Sequence, residues 1–236
     1  MLSDEPIRAI LFDVGGPLVD ESPDSMHDRE IVRSLLSEHT GREITAEELH
    51  IAREKAIASW APSFTRSVIW QSLKPDRKLT MKVYSEALKR FVARREKLVL
   101  MDGVEELIPK LASRFKLALA ANQPASMREK LESTGLLKYF DSHVLSDELG
   151  LQKPDSRFFL EICSRINVKP TNCCMVGDRL DNDIYPANIL SMRTVWIRVG
   201  PHAVQEPRIP EDVPDAVIEH MSELEGIINR WSAGKE

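Results

Sequence analysis

Apolar positions along this chain follow two rhythms. Residues 7–14 (IRAILFDV) form a short apolar run that ends in Gly15-Gly16-Pro17, the pattern of a buried parallel strand followed by a tight turn. From Asp20 to about Leu98 the rhythm becomes helical, with no convincing buried strand. Ile31, Leu35 and Leu36 share a helix face that Gly41 can close. Thr45 and Glu48 make a capping-box pattern ahead of Leu49, Ala52 and Ala56. Thr80 begins a further helix with Tyr84, Leu88, Phe91 and Val92 on one stripe, and Ala61-Pro62 and Lys74-Pro75-Asp76 interrupt the pattern between these helices.

Beyond this block strands and helices alternate. Helices are expected over 104–114, where Pro109 can introduce a kink, and over 125–133, 156–166 and 186–190. Strands are expected over 116–121 (KLALAA), 143–146, 173–176 and 193–199. Ser222 and Glu225 suggest a second capping box before Ile227 and Ile228. Alternating β and α units imply an α/β fold, a doubly wound parallel sheet, with an all-helical insert. The expected division is a core of residues 1–19 and 99–236 and a helical cap of residues 20–98. In such sheets ligands sit outside the carboxyl ends of the strands. Asp13, Asn122 and Gly177-Asp178 all stand at expected strand ends, so one crevice can collect them, with the inserted helices as its lid.

Composition narrows the functional classes. The chain has 236 residues, enough for a sizeable core, and a net charge of −5. That charge gives no support to a nucleic-acid partner, which leaves a basic footprint. No apolar run approaches the length of a membrane span, and the N-terminus does not read as a signal peptide. Cys163, Cys173 and Cys174 are odd in number and lack metal-ligand spacing, which fits a cytoplasmic, reducing setting with the last two as small core residues on a strand.

The chemistry lies at the strand ends. Asp13 closes the first strand; Asp178 and Asp183 follow another, five residues apart. Converging carboxylates repel one another and call for a cation, and an all-oxygen set suits magnesium. A carboxylate can also act as a covalent nucleophile, and Lys153, in Gly150-Leu151-Gln152-Lys153-Pro154, can balance charge on a carboxylate and a phosphate. Taken singly, each is an ordinary turn or loop residue; their combination, in this order, is what carries meaning.

That combination resembles the haloacid dehalogenase superfamily, most of whose members are magnesium-dependent phosphatases. The resemblance covers nearly the whole chain. Phe12-Asp13-Val14-Gly15-Gly16-Pro17-Leu18-Val19-Asp20 is similar to the family's first motif, Leu119-Ala120-Ala121-Asn122-Gln123 to its second, Lys153-Pro154 to its third, and residues 176–183 (VGDRLDND) with Ala187 to its fourth. The helical insert looks like the family's cap. The resemblance implies Asp13 as the nucleophile that forms an aspartyl phosphate, and Lys153 as the residue that orients it. It implies Mg²⁺ on Asp13, the Gly15 carbonyl and Asp178, with Asp183 in support. Backbone N–H groups around Val14, Gly15 and Asn122, together with Lys153, would hold the phosphate of a small phosphorylated substrate. Arg66 in the cap and Arg179 after Asp178 are candidate substrate contacts.

Two positions depart from the family pattern. The general acid expected two residues after the nucleophile is replaced by Gly15, and the Ser or Thr of the second motif by Ala121, unless Asn122 or Gln123 substitutes. General acid–base assistance is typically worth about 10²- to 10⁴-fold, so slow turnover or a preference for activated leaving groups follows. The alternatives are a non-catalytic member that binds a phosphorylated ligand or a protein partner and, less in keeping with positions 15 and 121, a 2-haloacid dehalogenase.

Overall fold

A computed structural model of the chain describes residues 5–94, 97–125 and 127–232. It divides into two compact units, Met1–Asp20 with Lys97–Glu236, and Glu21–Glu96.

The first unit begins with β1 (Ala9–Phe12) and β2 (Val19–Asp20). The chain then leaves for the second unit, which holds α1 (Ser22–Thr40), α2 (Ala46–Ala58), α3 (Phe64–Leu73) and α4 (Arg77–Arg94). On return it forms β3 (Val99–Leu100), which pairs antiparallel with β2 and ties the two crossings together. Then follow α5 (Val104–Ala112), β4 (Lys116–Ala121), α6 (Met127–Ser133), β5 (Ser142–Leu145), α7 (Ser146–Leu149) and α8 (Ser156–Arg165). The last elements are β6 (Cys173–Gly177), α9 (Tyr185–Ile189), β7 (Arg193–Ile197), β8 (Ala216–Ile218) and α10 (Leu224–Ser232).

Six strands make one parallel sheet in the order β5-β4-β1-β6-β7-β8. The direction of winding reverses at β1, so the carboxyl ends of β4, β1 and β6 lie side by side at the switch point, where α/β sheets bind ligands. Alternation along the strands builds a core on each face. Ile10, Phe12, Leu117 and Leu119 pack with residues of α5, α6 and α10; Ala9, Leu11, Ala118 and Ala120 pack with those of α8 and α9. Such burial on both faces explains why these strands read as continuous apolar runs. Cys173 and Cys174 are fully buried on β6, one on each face.

The helical unit has its own core, from Val32, Leu35 and Leu36 through Ile69 to Val83, Ala87 and Phe91. The Thr45–Glu48 capping box forms, and Gly41 closes α1 in the left-handed conformation at φ 68°. Two details differ from the sequence reading. The buried stripe of α4 (Arg77–Arg94) runs through Thr80, Val83, Ala87 and Phe91, with Tyr84 partly buried against the same core, and Leu88 is exposed. The expected position of Val92 on that stripe lies outside the described side chains. Near the C-terminus the capping carboxylate belongs to Glu223, which accepts from the Glu219 and His220 amides, and not to Glu225. A 3₁₀ turn at Met221–Glu223 shifts the start of α10 and explains the change. Among the described residues no helix is long and apolar enough to cross a membrane.

Candidate active site

Asp13 leaves the end of β1 with its amide donating to Val176 of β6 at 3.0 Å. Its Oδ1 accepts from the Val14 amide at 2.7 Å, which fixes the carboxylate against the following turn. That turn needs Gly16: its φ is 87°, and a Cβ there would lie 2.8 Å from the Cβ of Asp178. The turn and the end of β6 therefore touch directly, and Gly15 lies in the same turn, bridged to Val19.

Lys153 sits at the centre of the charges. Its Nζ lies 3.0 Å from Asp13 Oδ1 and donates to Asp183 Oδ1 at 2.6 Å, with the lysine and Asp183 side chains essentially inaccessible and Asp13 14% exposed. Burial disfavours the ammonium, but the charges of Asp13 and Asp183 outweigh it and hold its pKa above the ordinary lysine value. For Asp183 burial is the larger influence. Together with the nearby Asp13 charge it outweighs the pull of Lys153 and the Arg179 amide, and the carboxyl is pushed up to about 6. Asp183 Oδ2 accepts from that amide at 3.0 Å. Ligand atoms of Asp13, Asp178 and Asp183 lie within 4.8 Å of one another. Three carboxylates against one ammonium leave an excess of negative charge in a largely buried space. The donor set is all oxygen, so the residues fit a hard divalent cation.

The sequence reading assigned the backbone N–H around Asn122 to phosphate and left its side chain as one substitute for the hydroxyl missing at Ala121. In the structure that side chain is occupied elsewhere. Nδ2 donates to the Lys153 carbonyl at 2.9 Å and Oδ1 accepts the Lys153 amide at 2.8 Å. Both ends of the amide are committed, so it does not stand in for the hydroxyl missing at Ala121. It fastens β4 to the loop that delivers the lysine. Arg179 is likewise committed, its guanidinium forked onto Asp181 at 3.0 and 2.6 Å and largely buried, so it is not presented to a substrate. Arg66 belongs to the helical unit, where it is exposed and its guanidinium lies 6.0 Å from the Tyr84 ring centre.

Two contacts escaped the sequence reading. The Trp196 indole donates to the Asp178 carbonyl at 2.9 Å, and the Gln205 side chain accepts the Leu180 amide at 2.9 Å. Both reach across from elements far along the chain, and no local spacing announces them.

A family model described as haloacid dehalogenase-like hydrolase matches residues 7–188. A glyceraldehyde 3-phosphate phosphatase of Methanopyrus kandleri is 30% identical over 230 residues, covering 94% of this chain and 97% of that protein. Among solved structures, a HAD phosphatase from Thermococcus onnurineus superposes with a TM-score of 0.66 at 27% identity, over 97% of this chain and 99% of its own. A 2-haloacid dehalogenase from Pseudomonas syringae superposes with a TM-score of 0.61 at 25% identity, over 95% and 99%.

Proposed function

The chain belongs to the haloacid dehalogenase-like hydrolases, and we propose that it is a phosphatase, one that cleaves small phosphomonoesters through a covalent phosphoryl group on Asp13. The observation that carries this reading is the Lys153 ammonium bridging Asp13 and Asp183 at the switch point of the sheet. Mg²⁺ bound by the Asp13 and Asp178 carboxylates and the Gly15 carbonyl, with Asp183 in support, would neutralise phosphate charge and screen it from the acids.

The residues divide the remaining chemistry. Both recorded contacts of the Asp13 carboxylate engage Oδ1, which leaves Oδ2 to attack phosphorus. The bond to the leaving oxygen then breaks, and that oxygen takes a proton from solvent. Water attacks phosphorus of the aspartyl phosphate and gives up a proton to solvent, the bond between the Asp13 oxygen and phosphorus breaks, inorganic phosphate is released and the free carboxylate is regenerated. Lys153 holds Asp13 in place and stabilises charge on the transferring group, while the Gly15 and Asn122 amides border the phosphoryl oxygens; the Val14 amide, expected to join them, is given to Asp13 Oδ1. At the general-acid position stands Gly15, which has no proton to give, so aryl and acyl phosphates are favoured over alkyl esters. Displacement of halide calls for no divalent cation, whereas the Asp13, Asp178 and Asp183 cluster fits one.

Gly15 and Ala121 also favour a second reading, a member that binds a phosphorylated ligand without turning it over. Hydrolysis of p-nitrophenyl phosphate with Mg²⁺ and with EDTA separates the two. The phosphatase releases nitrophenol only with Mg²⁺; the binding protein shows stabilisation by Mg²⁺ and phosphate with no release.

A further inference from the structure

The two carboxylates contributed after β6 sit on a segment whose backbone is unusual. Residues 178–179 lead into a five-residue π-helix, Leu180–Ile184. Such turns are rare, occur frequently at functional sites, and depend on their surroundings for stability. Here two later elements supply the support. Trp196 stands opposite Gly177 in the parallel pairing of β6 with β7 and is 4% exposed. Its indole N–H donates to the Asp178 carbonyl, in a bond wholly buried. Gln205, also buried, receives the Leu180 amide on its side-chain oxygen and gives its side-chain N–H to Asp181 Oδ1 at 3.4 Å. Asp181 in turn takes both nitrogens of the Arg179 fork, and burial of Asp181 is overcome by these partners, which hold its carboxyl below the usual range.

Neither Trp196 nor Gln205 has a recorded bond to a carboxylate of the acidic cluster. Their polar ends reach the entry of the loop and the first amide of the π-turn. The loop is thereby pinned at its entry and its first turn, while Asp183 is fixed at its far end by Lys153 and the Arg179 amide. We propose that Trp196 and Gln205 are positioning residues for the divalent-cation site, fixing the separation of Asp178 and Asp183 so that the cation meets a preformed set of oxygens. This rests on the functional reading above, because that reading places the cation there.

Partners of this kind typically change metal affinity by about 10- to 100-fold. The test is calorimetric titration of the full chain with Mg²⁺ in the absence of substrate, a readout independent of turnover. Trp196→Phe removes the indole donor together with part of the ring volume, and Gln205→Met removes both polar ends at similar volume. Asn188→Ala serves as the structural control. Its side chain ties the Glu211 and Val213 carbonyls to Thr194 and has no recorded bond to the loop. Each positioning variant is expected to weaken Mg²⁺ binding about tenfold or more, whereas Asn188→Ala lowers the Tm and leaves the Kd unchanged. Wild-type affinity in either positioning variant that folds, or an equal loss in Asn188→Ala, overturns the inference. Failure of the wild-type chain to bind Mg²⁺ overturns the functional reading beneath it.

Discussion

Gly177 leaves open the volume that the carboxyl group of Asp183 occupies: a Cβ built on Gly177 would collide with the Asp183 side chain at its Cβ, Cγ and Oδ2. The last residue of β6 is therefore glycine because of a residue six positions later that folds back onto it. The space is small because Asp183 cannot retreat, being held by Lys153 on one oxygen and the Arg179 amide on the other.

Gly177→Ala should accordingly be costly although it adds one methyl group. Overpacking in a rigid site costs about 1–3 kcal/mol, and here the displaced group is a buried, bonded carboxylate. Urea denaturation should show a loss at or above the upper end of that range, with turnover reduced as well. A variant of wild-type stability would contradict the packing described at this strand end.

Lys153→Met leaves Asp13 and Asp183 facing each other without a cation from the chain. Removing one partner of a buried ion pair destabilises by about 3–5 kcal/mol. Equilibrium unfolding at neutral pH should show a loss of that order. Mg²⁺ should recover part of it, by adding positive charge among the same carboxylates.

Gly15→Asp returns an acid to the position two residues after the nucleophile. If the absent acid limits turnover, kcat/KM on alkyl phosphates should rise by up to about 10²-fold, while aryl phosphates, with their better leaving groups, gain much less. An equal change on both classes would show that protonation of the leaving group is not the limitation.

A pH-dependent contribution is expected away from the site. Arg128 of α6 forks onto Glu148 of α7 at 2.8 and 2.5 Å and also donates to the His143 carbonyl of β5. The hydrogen bonds and charge of Arg128 hold the Glu148 carboxyl below its ordinary range. A carboxylate with a depressed folded-state pKa stabilises the fold at pH values above its unfolded pKa, and the contribution disappears as pH falls through the folded value. Glu148→Gln should therefore lower the Tm at pH 7, at a cost of about 1 kcal/mol or less for so exposed a pair. The difference from wild type should shrink steadily below about pH 4.

The doubly wound sheet and the helical insert were legible because burial on two faces and burial on one produce different apolar rhythms. β1, β4 and β6 announced themselves as short apolar runs ending in Asp13, Asn122 and Gly177-Asp178, and the structure brings those ends together. Polar contacts between distant segments were not legible. Asn122 carries the same donor and acceptor groups whether it meets a phosphate or the Lys153 backbone, and only the fold decides between them. Arg179 was open to several partners, and its neighbour Asp181, two residues away, takes it. Trp196 read as one more apolar residue of a strand, because its N–H partner is 18 residues earlier in the chain. The short strands β2, β3 and β8 were missed for a related reason: two or three residues carry too little periodicity to stand out.

The central claim is that phosphorus becomes bonded to Asp13, and acid-quenched turnover tests it most directly. Enzyme mixed with an aryl phosphate and Mg²⁺, stopped in acid and digested, should carry one phosphoryl group on the peptide containing Asp13. Asp13→Asn should carry none and should release no nitrophenol. Undiminished turnover by Asp13→Asn, or a phosphoryl group on another residue, would contradict the account.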